Sequence, residues 1–412
     1  MARHRHAAPL AVLVSLGTLL AFSFVGCGGS DEEGFTAEEL KQLGIPTAPP
    51  IEKKDEGEVD PGGAIQTVFT EPAPNAPEGE LKLALAVGER FPIQKTIKQT
   101  LEQQGANGPV TTKSILSMLF AIVVEAEEDG RKLMNVRYQR VRYAHEILGE
   151  RVEYDSATIG SKPVPPQALV YHGLIDNGFH FWLGADNQIA EVIDFDEFLK
   201  RCVRHVPEAQ RAAQLKQIVA TQEDEGFSNF VDNSIGLLPY DPKATGRETA
   251  VKVGETWDAP KQLVMRPLPM QLDTKYTLTK LTDDHAHISV FGTISPATAK
   301  PMGANASELI TLTGGHTIGN CVIFRETGLP MKSNVERRID MDVQIDNRRK
   351  FKQHKIIQTT VESFPTDQAF LSGTSRTGAR SLNPPPIIVD PQARGAGSSA
   401  TSRSRRPLPQ PE

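Results

Sequence analysis

Side chains two positions apart on a strand share one side of a sheet, and the segment Asp283-Asp284-His285-Ala286-His287 offers that spacing to two histidines. His285 and His287 are therefore candidate metal ligands. A catalytic zinc takes three protein ligands and a structural zinc four, so a further group, His316 or Asp273, has to come from elsewhere in the chain. Without it the segment is a polar hairpin with solvated histidines, and the sequence implies no metal and no cofactor.

A Gly-x-Ser-x-Gly nucleophile elbow is absent. A hydrolase would need a nucleophile–base pair built from His145, His172, His180, His285, His287 or His316 with a serine or carboxylate, which only the fold can assemble. Thr313 to Gly319 is glycine-rich, but no helix pattern follows it, so it reads as a loop or bulge and not a phosphate cradle. The acidic run Glu125 to Asp129 lacks the glycine-centred calcium loop. His180-Phe181-Trp182 and Tyr171-His172 either line a pocket or pack one sheet face. Arg137, Arg140 and Arg142 read as solvated charge on a strand. No catalytic residue is assigned.

The cysteines divide by context. Cys202 lies on the apolar side of a helix pattern and Cys321 in a strand pattern. They either form a disulfide, which an exported compartment permits, or remain two buried thiols. Cys27 is different. Arg3 and Arg5 precede an uncharged, Leu- and Val-rich stretch from Ala7 to Val25, the layout of a secretory signal peptide. Phe24-Val25-Gly26-Cys27 then resembles the bacterial lipobox, in which the cysteine is lipidated and becomes the new N-terminus. The apolar run is short for a membrane span and meets Gly28-Gly29 and acids at once. The expectation is an exported lipoprotein, anchored to a membrane at Cys27 and facing the periplasm or the cell exterior.

These groups need elements to hold them. Leu81, Leu83, Leu85 and Val87 alternate as in a half-buried strand, as do Thr96 to Leu101, and Ser114 to Glu127 is a longer strand closed by the turn Glu128-Asp129-Gly130. Met134, Val136 and Tyr138 share one parity and Val141 and Tyr143 the other, which predicts a β-bulge near Gln139. Phe195, Phe198, Leu199, Cys202 and Val206 have helical spacing, and Pro207 suits the first turn of a second helix carrying Leu215, Ile218 and Val219. Phe227, Phe230 and Val231 suggest a third. Strands resume at Tyr276–Leu278, His287–Phe291, Thr317–Phe324, Met331–Asp346 and Lys355–Phe364.

The predicted layout is a signal peptide over 1–26, an acidic, proline-rich disordered tether over 27–79, an N-terminal β-rich half over 80–245 with helices in 194–236, a C-terminal β-rich half over 246–365, and a basic, proline- and serine-rich disordered tail over 366–412. Residues 28–79 hold twelve acids against three lysines, a balance of −9, and residues 372–412 hold six arginines against two acids, a balance of +4. The whole chain carries only −6, which gives no pull toward nucleic acid. A faint repeat links the halves: Val87-Gly88-Glu89-Arg90-Phe91 returns as Val253-Gly254-Glu255-Thr256-Trp257, and Asp186-Asn187-Gln188-Ile189 parallels Glu326-Thr327-Gly328-Leu329. The fold class is thus α+β, with two curved antiparallel sheets, arranged as tandem half-barrels if the halves are duplicated, and a central helical segment.

Together the lipobox, the spacer, the Leu81–Leu85 segment running into Val87-Gly88-Glu89, the segment Asp194-Phe195-Asp196-Glu197-Phe198-Leu199 and the second Val253-Gly254-Glu255 resemble a widespread group of bacterial exported lipoproteins. That group carries a β-rich domain of unassigned function, here spanning 80–365, with looser similarity to half-barrel lipoprotein carriers. The resemblance implies no catalytic residues. The expected function is non-enzymatic binding of an apolar, lipid-like or amphipathic ligand or of an envelope partner; the alternatives are a cell-envelope hydrolase or a structural scaffold.

Overall fold

The computed structural model describes residues 38, 72–105, 108–185, 189–222, 250–259, 262–264, 269–297, 308–345 and 349–364. Cys27, most of the acidic tether, the third helix at Phe227–Val231 and the basic tail lie outside the described residues. The chain divides into two compact units, 1–367 and 368–412, and everything below concerns the first.

The N-terminal half contains β1 (Glu78–Glu80), β2 (Arg90–Gly105), β3 (Gly108–Glu128), β4 (Arg131–Ile147), β5 (Glu150–Asp155), a 3-10 turn (Pro166–Ala168) leading into α1 (Leu169–His172), β6 (Gly178–Leu183), β7 (Ile189–Ile193), α2 (Phe195–Cys202) and α3 (Glu208–Gln222). The C-terminal half contains β8 (Ala250–Lys252), β9 (Thr256–Asp258), β10 (Gln262–Val264), β11 (Met270–Leu281), β12 (His285–Pro296), β13 (Glu308–Phe324), β14 (Pro330–Ile345) and β15 (Arg349–Ser363).

The strands form two antiparallel sheets, neither closed into a barrel. The small sheet is β1 with β8. The large one runs β10-β11-β12-β13-β14-β15-β2-β3-β4-β6-β7, with β9 on β11 and β5 on β4. The two halves are joined edge to edge at a seam between β15 and β2, where Ser363 pairs with Ile93 and Gln353 with Gln103. At the other end β1 crosses over to pair with β8, Glu78 opposite Lys252.

The local signals explain most of these elements. Asp129 and Gly130 both take positive φ between the paired residues Glu128 and Arg131, the geometry a two-residue hairpin turn demands. The register of β3 with β4 slips between Leu119/Arg140 and Phe120/Tyr138, which leaves Gln139 as the extra residue of a bulge. The parity change along β4 therefore brings Tyr138 and Val141 to the same side. The glycine-rich stretch is a bulge inside β13, between Leu312 and Gly314. There β13 runs so close to β14 that a Cβ on Gly319 would stand 2.3 Å from the Asn334 carbonyl oxygen.

The repeat is real in three dimensions. Gly88 N–H donates to Val124 O at 2.8 Å and Gly254 N–H to Leu278 O at 2.7 Å; Val124 and Leu278 return their N–H groups to Glu89 O and Glu255 O. Each glutamate carboxylate then accepts the N–H three residues earlier, from Ala86 at 2.7 Å and from Lys252 at 3.0 Å. Both glycines have φ near +90°, at +87° and +90°. Two copies of one turn therefore start the two meanders. Of the second pair of marks, Asp186–Gln188 lies outside the described residues.

One predicted strand is absent. Leu81 to Val87 forms no ladder; it crosses between the halves, with Leu81 in the core of the C-terminal half and Leu85 in that of the N-terminal half. Its period of two reflects an extended chain with alternate side chains buried, which a crossing segment shares with a strand.

Candidate ligand-binding face

Direct cross-strand partners point to the same side of a sheet, so the register defines two faces. One face carries the apolar cores of both halves. In the N-terminal half it carries Phe91, Ile93, Met118, Phe120, Tyr138 and Val141, all in the main core. In the C-terminal half it carries Leu272, Ile294, Leu312, Ile339 and Met341, a separate core. Ile357 on β15 packs against both, and Leu101 on β2 packs against the C-terminal one, so the apolar side is unbroken across the seam.

Among the described residues, helices cover the N-terminal end of this face, and at the seam buried residues such as Ile97, Ile339 and Val361 stand beside half-buried ones. Helices α2 and α3 bring Phe198, Leu199, Cys202 and Ile218 down onto the N-terminal half, with the Phe198 ring edge-on to Phe179 at 4.9 Å and stacked on Tyr138 at 6.0 Å. Asn177, only 2% exposed, fastens them: its Nδ2 donates to the carbonyls of Gly173 and Phe198, both at 3.2 Å, and its Oδ1 accepts Gly178 N–H and Arg201 Nε. Burial drives the Tyr138 hydroxyl well above its ordinary pKa, as expected of a phenol with no water around it. At the seam, Leu116, Val335, Ile357 and Thr359 are only half-buried. An apolar stretch of a bulged sheet with half-buried positions along it is a candidate ligand face.

The residues singled out for chemistry are dispersed. His285 and His287 lie opposite Phe324 and Val322. His316 is six residues along β13 from Val322, and Thr293, the partner of Asp273, is six residues along β12 from His287, roughly 20 Å in each case. Neither can complete a metal site with the pair, and among the described residues no group of three or more His, Cys, Asp or Glu could hold a metal ion. His285 borders an open pocket of about 590 Å³ with Asp283, Asp284 and Glu326, where Arg325 donates to the Thr282 and Asp283 carbonyls and braces the turn. His180 reaches Glu125 at 3.4 Å on the exposed face. His145 is buried beside Tyr143, and burial lowers its pKa.

One open alternative is decided and two arrangements differ from the reading of the sequence. Cys202 and Cys321 are not joined in a disulfide: one lies at the end of α2 and the other on β13 beside the core that holds Leu81. Burial pushes the Cys202 thiol up to about 12. Arg140 and Arg142 are not solvated: Arg140 is 6% exposed, and both guanidiniums converge on Asp155 of β5, which a linear scan does not place beside them. His354, which the spacing did not mark, meets Asp340 at 2.5 Å because β14 and β15 pair them directly, with Arg338 Nε 3.3 Å from the same oxygen. This pair stands on the polar side of the sheet, away from the apolar strip.

An open, strongly bulged antiparallel sheet, duplicated in its opening turns and capped by helices on one half, is the class of protein these features define. The chain belongs to a family of unknown function (DUF6263), whose model matches residues 129–349. No curated protein matches it. Among solved structures, one described as lipid–protein interactions in lipovitellin is similar at 9% identity and a TM-score of 0.38, over 69% of this chain and 26% of the lipovitellin chain, about a quarter of its length. An outer membrane channel from Pseudomonas putida F1 follows at 8% identity and a TM-score of 0.16, over 68% of this chain and 97% of the channel. A BenF-like porin from Pseudomonas fluorescens Pf-5 has 9% identity and a TM-score of 0.16, over 68% and 100% of the two chains. Likenesses this distant carry no function across.

Proposed function

We propose that this protein is an exported lipoprotein, tethered to a membrane through lipidated Cys27, and that the apolar face of its large sheet binds an apolar or amphipathic ligand without catalysing a reaction on it. The observation that carries the reading is Ile357: it packs against both cores, sits on β15 at the seam between the two halves, and is only half-buried. Water against such a strip is unfavourable by roughly 25 cal/mol for each Å² of apolar surface, which an acyl chain lying along it would recover. The tether places that strip near the source of such ligands.

The test is a titration of the full chain with a fluorescent acyl probe. Saturable one-to-one binding is expected, with at least a tenfold loss in Ile357→Glu and no loss in Gln358→Glu, which alters the neighbouring residue on the other face. A folded wild-type protein that binds no probe overturns the reading. Tethering is tested separately: Cys27→Ala is expected to leave the membrane fraction.

A further inference from the structure

The corner where α2 ends and α3 begins holds three arginines that meet no acid. Arg201 donates through Nε to Asn177 Oδ1 at 2.7 Å and through Nη2 to the Gly178 carbonyl at 2.8 Å. Arg204 donates through Nε to His205 Nε2 at 2.9 Å and through Nη2 to the Ile175 carbonyl at 2.8 Å. Arg211 donates through Nε to the Val206 carbonyl at 2.8 Å and through Nη2 to the Arg204 carbonyl at 2.9 Å. Every acceptor is a neutral group, and among the described residues none of these guanidiniums forms an ion pair with a carboxylate.

A guanidinium carries five N–H donors in a rigid fork. In all three arginines the Nε–Nη2 edge is engaged by the protein, which leaves Nη1 and the second N–H of Nη2, the edge that takes two oxygens of one anion. All three residues are exposed. The His172 and His205 rings stand in the same cluster, and after burial the groups that lower the His205 pKa are His172, Arg204 and Arg211, with no acid acting the other way. Two exposed acids share the corner, Asp176 and Glu208. The acids Asp196 and Glu197 lie in the first turn of α2, at its far end, and Glu197 is held by Lys200 at 2.6 Å. Along α3, Ala209, Ala212, Ala213 and Lys216 are exposed at helical spacing and continue the corner as a low stripe. Bracing the turn before β6 explains only the inner edges of the arginines. Neutral donors would serve there without setting three like charges together.

Resting on the tether at Cys27 only for a bilayer within reach, we infer that this corner docks on an anionic membrane surface, each arginine offering its free edge to lipid phosphates. A protein partner would call for an apolar centre to the contact. The exposed large apolar residues, Val87 and Leu148, lie on other turns. A headgroup layer needs only charge and a low surface. Arg201, Arg204, Arg211 and Lys216 stand against Asp176 and Glu208, a balance of +2. At about fivefold in partition for each uncompensated charge, the attraction orients a tethered body and does not hold an untethered one.

The test uses the chain from residue 27 onward, carrying Cys27→Ala so that no acyl anchor contributes. It is sedimented with vesicles of equal parts phosphatidylglycerol and phosphatidylcholine, or of phosphatidylcholine alone. Partition onto the anionic vesicles is expected to be at least about tenfold higher and to vanish at high salt. The variant A209E/A212E/A213E leaves every arginine bond in place and puts good helix formers at exposed positions. It is expected to bring partition down to the phosphatidylcholine level with an unchanged melting temperature. Three glutamates at exposed sheet positions, Q104E/T111E/Q139E, are expected to change partition by less than about twofold. Equal partition onto both vesicles, none onto either, or equal losses in the two triple variants overturns the docking surface. Binding of soluble polyphosphate without vesicle binding also overturns it and points to an acidic partner. None of these outcomes bears on lipidation at Cys27 or on the apolar face, which use none of these residues.

Discussion

Arg140 grips Asp155 through two bonds, Nε to Oδ1 at 3.2 Å and Nη2 to Oδ2 at 2.8 Å, with Arg142 Nε adding a third at 2.9 Å. The geometry ties β5 to β4 beneath the helical half. Burial by itself would raise the Asp155 pKa, but the hydrogen bonds from Arg140, the Ala157 N–H and Arg142 outweigh it and the net shift is downward. Arg140→Met should destabilise the protein by about 3 kcal/mol, the lower end for breaking a buried pair, because Arg142 stays. Since the folded pKa is depressed, this contribution is complete above the unfolded value of 3.8 and is lost progressively as pH falls from there through the lower folded value. Urea midpoints at pH 7 and pH 3 should differ less in the variant than in the wild type; an equal drop removes Asp155 as the cause.

A second pH effect involves histidines. The Tyr154 hydroxyl and His172 Nδ1 are 2.7 Å apart, the His172 and His205 rings are 4.5 Å apart, and Arg204 donates to His205 Nε2 at 2.9 Å. Burial and the neighbouring arginines lower both histidine pKa values below 6.5. The unfolded chain therefore takes up protons first on acidification, so stability is full above about pH 6.5 and declines below it. Hydrogen-exchange protection at α1 and the following turn, taken relative to the unfolded-chain rate at each pH, should fall between pH 7 and pH 5, and His172→Phe should flatten the change. An unaltered profile in that variant contradicts the assignment.

The duplicated turns should respond alike to one substitution. At Gly88 an added Cβ meets open space, so Gly88→Ala should cost only the positive φ, about 1 kcal/mol. At Gly254 the Cβ would stand 3.4 Å from Pro72 Cα, an ordinary contact, so the loss should be similar. Thermal unfolding of both variants decides it, and a loss several times larger at one glycine would contradict the geometry.

Asn177 is the hub of the helical cap. Asn177→Ala leaves Phe198 O and Arg201 Nε without their partner and should destabilise by about 2–3 kcal/mol, freeing α2 before the sheet. Exchange that rises uniformly across β2 to β4 and α2 would show that the cap does not unfold separately.

How much of this was legible depended on the range of the interaction. The Gln139 bulge, the Asp129-Gly130 turn and the α2 face of Phe195, Phe198 and Cys202 are set by neighbours within a few residues, and periodicity exposes them. The repeated Val-Gly-Glu was visible because its glycine and glutamate make local bonds that need those residue types. The seam was not: Gln353 donates to Gln103 across 250 residues, and no local pattern records that pairing. The same holds for Asp340 with His354 and for Arg140 with Asp155, which look like ordinary strand charges until the register aligns them. Leu81 to Leu85 misled because alternate burial is also what an extended crossing segment produces.

The most direct measurement is photo-crosslinking of the full chain with an acyl probe carrying a diazirine midway along its chain, followed by peptide mapping. A ligand lying on the apolar face should label peptides from β14, β15 and β2 around Val335, Ile357 and Ile97, with labelling abolished by excess unlabelled acyl ligand. Labels confined to the polar side, around His354 and Glu102, or spread evenly over the surface and resistant to competition, would contradict the account.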